Sequence, residues 1–193
     1  MTAGVVLAAG AGTRFGGGKQ LAELDGRPLL EHVLRAMSEA PLERVVVVLG
    51  AAAEDVLAEV DLHGAEPIVC ERWEDGQAAS LACGLAAVAD AEAVVVVLGD
   101  QPRVSPGAVR RVMESRSDEF EAVRATYGGQ PGHPVLLERS LFGRLRDVSG
   151  DHGARNVLLS VKTRDVPCDD LGGGEDVDTL AELETLRAGG PLT

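Results

Sequence analysis

A glycine-rich segment near the start of the chain carries two cationic side chains that could bind a polyphosphate. Residues 4–19 read Gly-Val-Val-Leu-Ala-Ala-Gly-Ala-Gly-Thr-Arg-Phe-Gly-Gly-Gly-Lys, an apolar run followed by the glycine-rich loop. Glycines leave backbone N–H groups unscreened, so such a loop can wrap phosphate oxygens. Arg14 and Lys19 add positive charge to a chain of formal net charge −13. The segment predicts a nucleoside triphosphate site, with a plain glycine-rich turn as the alternative.

Two familiar phosphate-binding loops do not fit this segment. The dinucleotide fingerprint Gly-x-Gly-x-x-Gly, started at Gly10, would need glycine where Phe15 stands. A nucleotide-hydrolase P-loop ending at Lys19 would need glycine in place of Thr13 and serine or threonine in place of Gln20. An NAD-dependent oxidoreductase is therefore disfavoured, and the loop belongs to another nucleotide-binding class.

Acidic residues at two later positions could hold a metal ion. Residues 99–102, Gly-Asp-Gln-Pro, directly follow the most apolar run of the chain, and the carboxyl ends of parallel strands are where ligands collect. A carboxylate at Asp100 could hold Mg²⁺ against triphosphate oxygens, the alternative being an ordinary turn. Asp178, favoured over Asp176, could be a second ligand, the alternative being a helix cap.

Other polar residues are weaker candidates. Gln77 and Ser80 lie at the start of a predicted helix and could bond a ribose or a base, but polarity at a helix start explains them equally well. His133 lies between glycine and proline, and Asp151 and Arg155 bracket a predicted helix start. Turn and cap roles account for these three residues at least as well as a binding role.

Strand-like and helix-like segments alternate along the chain. Strands are predicted at 4–9, 44–49, 67–70, 93–98, 121–127, 135–137 and 162–166, and helices at 28–37, 53–62, 77–89, 106–116, 139–146, 154–160 and 177–186. This alternation predicts an α/β fold with a mostly parallel sheet. Residues 121–166 break the rhythm and are predicted to form an insertion-like subregion over the sheet edge. We expect one domain over 1–188 and a frayed tail at 189–193.

Composition limits the classes of partner. Aromatic residues make up only 3%, so the core must consist of Val, Leu and Ala, and the net charge of −13 argues against nucleic-acid binding. Cys70, Cys83 and Cys168 form no Cys-x-x-Cys pair and are expected to be unpaired thiols in a reducing compartment. No signal peptide and no run long enough to span a bilayer is recognised, so a cytoplasmic protein without membrane partners is expected.

Several segments, in order, match one known family. They are 7–21, 76–85, 99–102, 132–134, 150–155 and 176–179. Together they resemble the MobA-like nucleotidyltransferases, and most closely the molybdenum cofactor cytidylyltransferase branch. The resemblance implies a Rossmann-like three-layer α/β sandwich of the nucleotide-diphospho-sugar transferase type, with a mostly parallel sheet. Ala9 and Gly18 stand where the guanylyl branch has other residues and favour the cytidylyl branch.

The resemblance also implies roles for single residues. Catalytic roles fall to Arg14, Lys19 and Asp100, and metal binding to Asp100, for which Asp178 is the second ligand inferred above from its own sequence context. The nucleotide-binding set comprises Leu7, Ala8, Ala9, Gly10, Gly12, Thr13, Arg14, Lys19, Gln77 and Ser80. Within it, the end of the first strand reads the base, the Gly-Thr-Arg turn cradles the triphosphate and Lys19 contacts the α-phosphate region. His133, Asp151 and Arg155 are placed on the acceptor side.

The implied reaction moves a CMP unit from CTP to the phosphate of a molybdopterin-type cofactor and releases pyrophosphate. Its partners would be CTP, a phosphate-bearing pterin cofactor and a molybdoenzyme or its chaperone, with Mg²⁺ as the metal and Mn²⁺ as its alternative. Two alternatives stay within enzymes: a GTP-dependent guanylyltransferase and a sugar- or alcohol-phosphate nucleotidyltransferase. An alternative of another class is a non-catalytic nucleotide-binding chaperone for molybdoenzyme maturation.

Overall fold

Nine strands and seven helices are found in the computed structural model, which describes residues 1–148, 150 and 153–189. The strands are β1 (Thr2–Ala8), β2 (Glu23–Leu24), β3 (Arg27–Pro28), β4 (Arg44–Leu49), β5 (Glu66–Val69), β6 (Ala93–Leu98), β7 (Ala122–Tyr127), β8 (Gln130–Glu138) and β9 (Thr163–Pro167). The helices are α1 (Leu29–Ser38), α2 (Ala53–Glu59), α3 (Gln77–Ala87), α4 (Pro106–Glu114), α5 (Phe142–Arg146), α6 (Gly153–Leu159) and α7 (Leu180–Arg187). The predicted tail from 190 to 193 lies outside the described residues.

Seven of the strands form one sheet in the order β5-β4-β1-β6-β8-β7-β9. β1 lies parallel to both β4 and β6, while β8 runs antiparallel to β6 and to β7. The valine-rich runs of β4 and β6 are buried on both faces, as expected for parallel strands covered by helices. The predicted mostly parallel sheet is confirmed.

Helices cover both faces of this sheet and complete three layers. Leu30 of α1 and Val109 of α4 pack with one face, and Leu85 of α3 and Leu145 of α5 pack with the other. α3 approaches β1 very closely: a Cβ added to Gly84 would lie 2.6 Å from Val5 Cγ1. Glycine at this position lets α3 bring its N-terminal turn to the carboxyl end of β1.

Residues 121–166 do not form a subregion over the sheet edge, and that prediction is wrong. β8 pairs directly with β6, for example Val94 opposite Leu137, and β7 and β9 extend the same sheet beyond it. Because the pairing joins segments far apart in sequence, the spacing of short apolar runs did not reveal it. β8 is also longer than the predicted 135–137, and its register with β7 shifts between Arg124 and Thr126.

The expectation of three unpaired cysteines is also wrong. A disulfide joins Cys70 to Cys83, with their Cα atoms 6.0 Å apart, and the buried Cys168 is the free cysteine of the described chain. The turn between β5 and α3 folds these two cysteines together, a contact that their separation of 13 residues did not indicate. Among the described residues, no helix is long and apolar enough to cross a membrane.

Candidate active site

A cavity with a volume of about 520 Å³ lies at the carboxyl ends of β1 and β6. It is lined by residues of the glycine loop, of the turn before α3, of the segment after β6 and of the segment before α7. These are Leu7, Ala9, Gly10, Ala11, Gly12, Thr13, Arg14, Lys19, Trp73, Glu74, Gly76, Gln77, Ser80, Leu98, Asp100 and Asp178. Of the residues predicted to bind nucleotide, Ala8 alone is not among them. Ala8 lines a small adjoining cavity beside Gln20.

The glycine loop is held by its own backbone and by one amide side chain. The N–H groups of Phe15, Gly16 and Gly17 all donate to the carbonyl oxygen of Gly12, at 3.0, 3.1 and 3.1 Å. These N–H groups are therefore occupied, and the part of the loop that faces the cavity is the stretch from 10 to 14. Gln20 Nε2 donates to the carbonyl oxygens of Ala8 and Gly10, at 3.1 and 2.7 Å, and fixes the loop on the end of β1.

Four charged side chains meet at one side of the cavity, and we call Arg14, Lys19, Asp100 and Asp178 the charged wall. Lys19 Nζ lies 2.7 Å from Asp100 Oδ2 and 3.0 Å from Asp178 Oδ1, while an Arg14 guanidinium nitrogen lies 2.9 Å from Asp178 Oδ2. The side chain of Lys19 is only 13% exposed, against 76% for Arg14. One partly buried ammonium thus binds two carboxylates that come from distant parts of the chain.

The charge on Lys19 follows from its surroundings. Burial by itself lowers the pKa of the Lys19 ammonium, but the Asp100 carboxylate, followed by Asp178, more than offsets that effect and raises the pKa. Lys19 is therefore a fixed cation near neutral pH. It stays available to a phosphate group that competes with either carboxylate.

The segment before α7 places Asp178 in the cavity rather than at a helix cap. α7 begins at Leu180, later than the predicted 177, and Thr179 caps it in a capping box with Glu182. The Val177 N–H donates to the carbonyl oxygen of Asp100 at 3.0 Å, which ties this segment to the turn after β6. Asp176 faces a different partner, since Gln101 Nε2 donates to its Oδ1 at 2.6 Å. The cap role considered for Asp178 thus falls to Thr179.

The charged wall fits a divalent cation that shares its coordination with a ligand. Asp100 Oδ1 is buried and has no hydrogen-bond partner among the described residues, so one hard oxygen is unused. No group of three or more His, Cys, Asp and Glu in the described chain could hold a metal by itself. Mg²⁺ is commonly held by one or two carboxylates together with phosphate oxygens and water, so the residues present fit that ion.

Another part of the cavity lining comes from the segment 70–83, which we call the linked wall because the disulfide joins its two ends. Trp73 and Glu74 come from a short 3₁₀ turn, and Gln77 and Ser80 from the first turns of α3. Ser80 is buried, and Trp73 packs against Gly50, where a Cβ would lie 2.7 Å from the indole Cγ. The sequence analysis missed Trp73 and Glu74, for which the one signal was a lone tryptophan shortly before a glycine.

Of the residues predicted on the acceptor side, His133 and Arg155 lie within the described part of the chain. His133 lies in the irregular part of β8 and lines a small apolar cavity of about 60 Å³ that shares Leu7 and Gln77 with the large one. Burial lowers the pKa of His133 to about 4, with partial compensation from Asp100, so the ring is neutral at pH 7. Arg155 is exposed on α6. Asp151 lies outside the described residues.

The doubly covered sheet and its edge cavity define an α/β nucleotidyltransferase. Comparison with known proteins agrees: residues 4–166 match the family model described as "MobA-like NTP transferase domain". The chain belongs to this family. It is 35% identical over 194 residues to nicotine blue oxidoreductase from Paenarthrobacter nicotinovorans, covering 95% of both chains.

Solved structures of similar chains share the fold along nearly the whole length. Rv0371c from Mycobacterium tuberculosis H37Rv superposes with a TM-score of 0.88 at 34% identity, covering 97% of both chains. A complex of Rv0371c with manganese superposes with a TM-score of 0.83 at 32% identity, covering 97% of this chain and 98% of that one. The predicted α/β fold class is confirmed by these superpositions.

Proposed function

We propose that the chain transfers a CMP unit from CTP to the phosphate of a molybdopterin-type cofactor and releases pyrophosphate. The observation that carries the proposal is the charged wall, where Lys19 binds Asp100 and Asp178 beside the glycine loop. Membership of the MobA-like family supports nucleotidyl transfer. Ala9 and Gly18 support cytidine over guanosine, because they follow the cytidylyl branch that the sequence resembles.

The charged wall supports phosphate binding by an exchange of partners. Lys19 and Arg14 are held by carboxylates, and both also line the cavity that would receive the triphosphate. With a triphosphate and a divalent cation bound, Arg14 and Lys19 would pair with phosphate oxygens, and Asp100 and Asp178 would hold the metal. This exchange would leave no charge of the wall unpaired, which would keep the cost of burial low.

We propose that Asp100 and Asp178 hold Mg²⁺ or Mn²⁺ in the nucleotide complex. The manganese complex of Rv0371c supports a divalent ion in this family. The bound ion would neutralise phosphate oxygens as charge develops on the leaving pyrophosphate. Arg14 and Lys19 would stabilise the same charge from the protein side, by preorganised electrostatics.

The acceptor is proposed to enter beside His133, with Asp151 and Arg155 as further contacts. Its phosphate oxygen would attack the α-phosphorus of CTP in line with the leaving pyrophosphate, held in position by the two walls. A phosphate is already ionised near pH 7, so no general base is needed. The neutral His133 ring suits this scheme, because it can form a hydrogen bond to the acceptor without adding charge.

Pyrophosphate release tests the proposed function directly. Purified protein is supplied with a molybdopterin-type acceptor, Mg²⁺ or Mn²⁺, and CTP, GTP, ATP or UTP in turn, with Asp100→Asn as the inactive control. We expect release with CTP well above the other three nucleotides and dependent on acceptor. Faster release with GTP would support the guanylyl alternative. Nucleotide binding without release for any acceptor phosphate would support the non-catalytic chaperone.

A second candidate is an oxidoreductase, favoured by the name of the relative that is 35% identical over nearly the full length. The large cavity would then hold the nucleotide part of a redox cofactor, and the apolar cavity beside His133 one edge of a planar heterocycle. Buried Phe15, in place of the third fingerprint glycine, argues against a standard dinucleotide loop. Oxidation of NADH or NADPH by a heteroaromatic dye, without CTP, would support this candidate.

A further inference from the structure

The linked wall combines a closed covalent loop with a large share of the nucleotide cavity. Cys70 follows β5 directly and Cys83 lies on α3, and their disulfide closes the segment between them. Within that segment Trp73, Gly76 and Ser80, among others, line the cavity. Any change in the bond between the two cysteines therefore acts on a wall of the site.

Few backbone hydrogen bonds tie the middle of the linked wall to the rest of the fold. The N–H of Cys70 donates to the Leu49 carbonyl at 2.9 Å and anchors the first end. Beyond it, the N–H groups of Trp73, Gly76 and Ala79 donate to carbonyls within the segment itself. The disulfide adds a covalent tie between the end of β5 and helix α3, beside the packing of Trp73 against Gly50. Its loss would leave the turn at Trp73 held by packing alone and freer to move.

The two sulfur atoms differ in accessibility. Cys70 is only 1% exposed, whereas Cys83 is partly exposed and lines a second cleft of about 260 Å³ on the outer side of α3. Arg146 and Arg72 also line this cleft, and Arg72 is paired with Asp75, its Nε lying 2.9 Å from Asp75 Oδ2. A small thiol that carries carboxylates would be attracted to Arg146 and could reach the sulfur of Cys83 without passing through the nucleotide cavity.

We propose that Cys70 and Cys83 form a redox switch that controls the linked wall, operated by a small anionic thiol of the glutathione class. A thiolate attacks Cys83 Sγ and displaces Cys70 as a thiolate, which takes up a proton. A second thiolate then attacks the mixed disulfide and releases Cys83 together with the small-molecule disulfide. In sum, two small thiols are oxidised to one disulfide and the protein disulfide is reduced to two thiols.

The switch is expected to act on nucleotide affinity. In the disulfide form the wall is already ordered, whereas in the dithiol form binding must order it at a cost in conformational entropy. Reduction should therefore raise the Kd for MgCTP about fivefold or more, the lower end of common coupling. Coupling is reciprocal, so saturating MgCTP should favour the disulfide in a glutathione redox buffer by the same factor.

Trp73 supplies a readout that needs no nucleotide, while the affinity readout rests on the proposed function. It is the one tryptophan of the chain and lies between the two cysteines. The full chain is equilibrated in buffers of reduced and oxidised glutathione, free thiols are alkylated and counted by mass spectrometry, and Trp73 emission and the Kd for MgCTP are measured. The variants are Cys70→Ala with Cys83→Ala together, and Cys168→Ala as the matched control.

The expected result is a reversible loss of one disulfide, a red shift of Trp73 emission and weaker MgCTP binding, in the wild type and in Cys168→Ala. The double variant should match the reduced wild type in both buffers. The proposal is overturned if Cys70 and Cys83 stay alkylatable in saturating oxidised glutathione, or if Trp73 emission is equal in both redox states. A redox-dependent emission without any nucleotide binding would support the switch and overturn the proposed function.

Discussion

The two walls of the cavity are built in opposite ways. The charged wall consists of ionised side chains from three separate segments, held together by ion pairs of 2.7 to 3.0 Å. The linked wall is one continuous segment, held by packing against Gly50 and by a disulfide. Ion pairs can exchange partners when charged ligands arrive, whereas a covalent loop keeps its shape. In the proposed function, the charged wall would therefore bind the reacting phosphates and the linked wall would position the nucleoside.

The largest effect is expected from Asp100→Asn on the charged wall. This change removes the carboxylate whose Oδ1 is buried and unpartnered in the described chain, and with it the proposed metal ligand. Turnover should fall by about 10³-fold, comparable to the loss of a major electrostatic group, while the fold persists because Asn has the same size. Steady-state pyrophosphate release measures it, with the exposed Asp118→Asn as control. A kcat within tenfold of wild type would mean that Asp100 has no catalytic role.

Lys19→Ala is expected to lower kcat by about 100-fold, the loss of one preorganised contact to developing charge. It also leaves the carboxylates of Asp100 and Asp178 without their shared cation. We therefore expect a lower Tm without metal and a larger rise in Tm on adding Mg²⁺ than in wild type. Lys162→Ala, at the one other lysine, is the matched control. Normal kcat in Lys19→Ala would mean that this lysine is only a structural cation.

A smaller and different effect is expected from Asp178→Asn. The half-saturating Mg²⁺ concentration should rise about tenfold, the size seen when a supporting metal contact is lost, with kcat recovered at high Mg²⁺. Turnover measured across a Mg²⁺ titration separates this effect from that of Asp100. If the Mg²⁺ dependence does not change, Asp178 serves only to pair Arg14 and Lys19, and Asp176→Asn is the next variant to titrate.

The smallest effect is expected on the linked wall. Ser80→Ala removes a buried hydroxyl that lines the cavity, and the Kd for MgCTP should rise about fivefold, the value of one net hydrogen bond. kcat at saturating CTP should stay at the wild-type level, in contrast to the charged-wall variants. Calorimetric titration provides the Kd, with the exposed Ser38→Ala as control. A large loss of kcat in Ser80→Ala would contradict the proposal that the linked wall positions the nucleoside and the charged wall binds the reacting phosphates.

The charged wall was largely predictable from the sequence, whereas only part of the linked wall was. Gln77 and Ser80 were predicted to bind nucleotide, but Trp73, Glu74 and the disulfide were missed. Arg14 and Lys19 lie in one short loop after a strand, and Asp100 directly follows another strand. Local motifs of this kind are visible without any knowledge of tertiary contacts, because strand ends of a parallel sheet share one edge. Trp73 reaches the cavity only because β5 and α3 both pack beside β4. No local sequence pattern predicts that packing.

Prediction of the fold was limited in the same way, by contacts between distant parts of the chain. The repeating strand–helix units up to β6 were predicted to within a few residues, because each unit has its own hydrophobic period. β8 was predicted too short because Gly132 and Pro134 interrupt its pattern. Its pairing with β6 was missed because it is decided by contacts across about forty residues of chain. The disulfide between Cys70 and Cys83 likewise depends on tertiary packing and not on spacing.

Binding of CTP by calorimetry, with and without Mg²⁺, tests most directly that the cavity between the two walls is a metal–nucleotide site. We expect one molecule of MgCTP to bind per chain, more tightly than MgGTP. Binding should weaken strongly when Mg²⁺ is omitted or when Asp100 is replaced by Asn. Equal affinity for CTP in Asp100→Asn and wild type, or no binding of any nucleoside triphosphate, would contradict this assignment of the cavity.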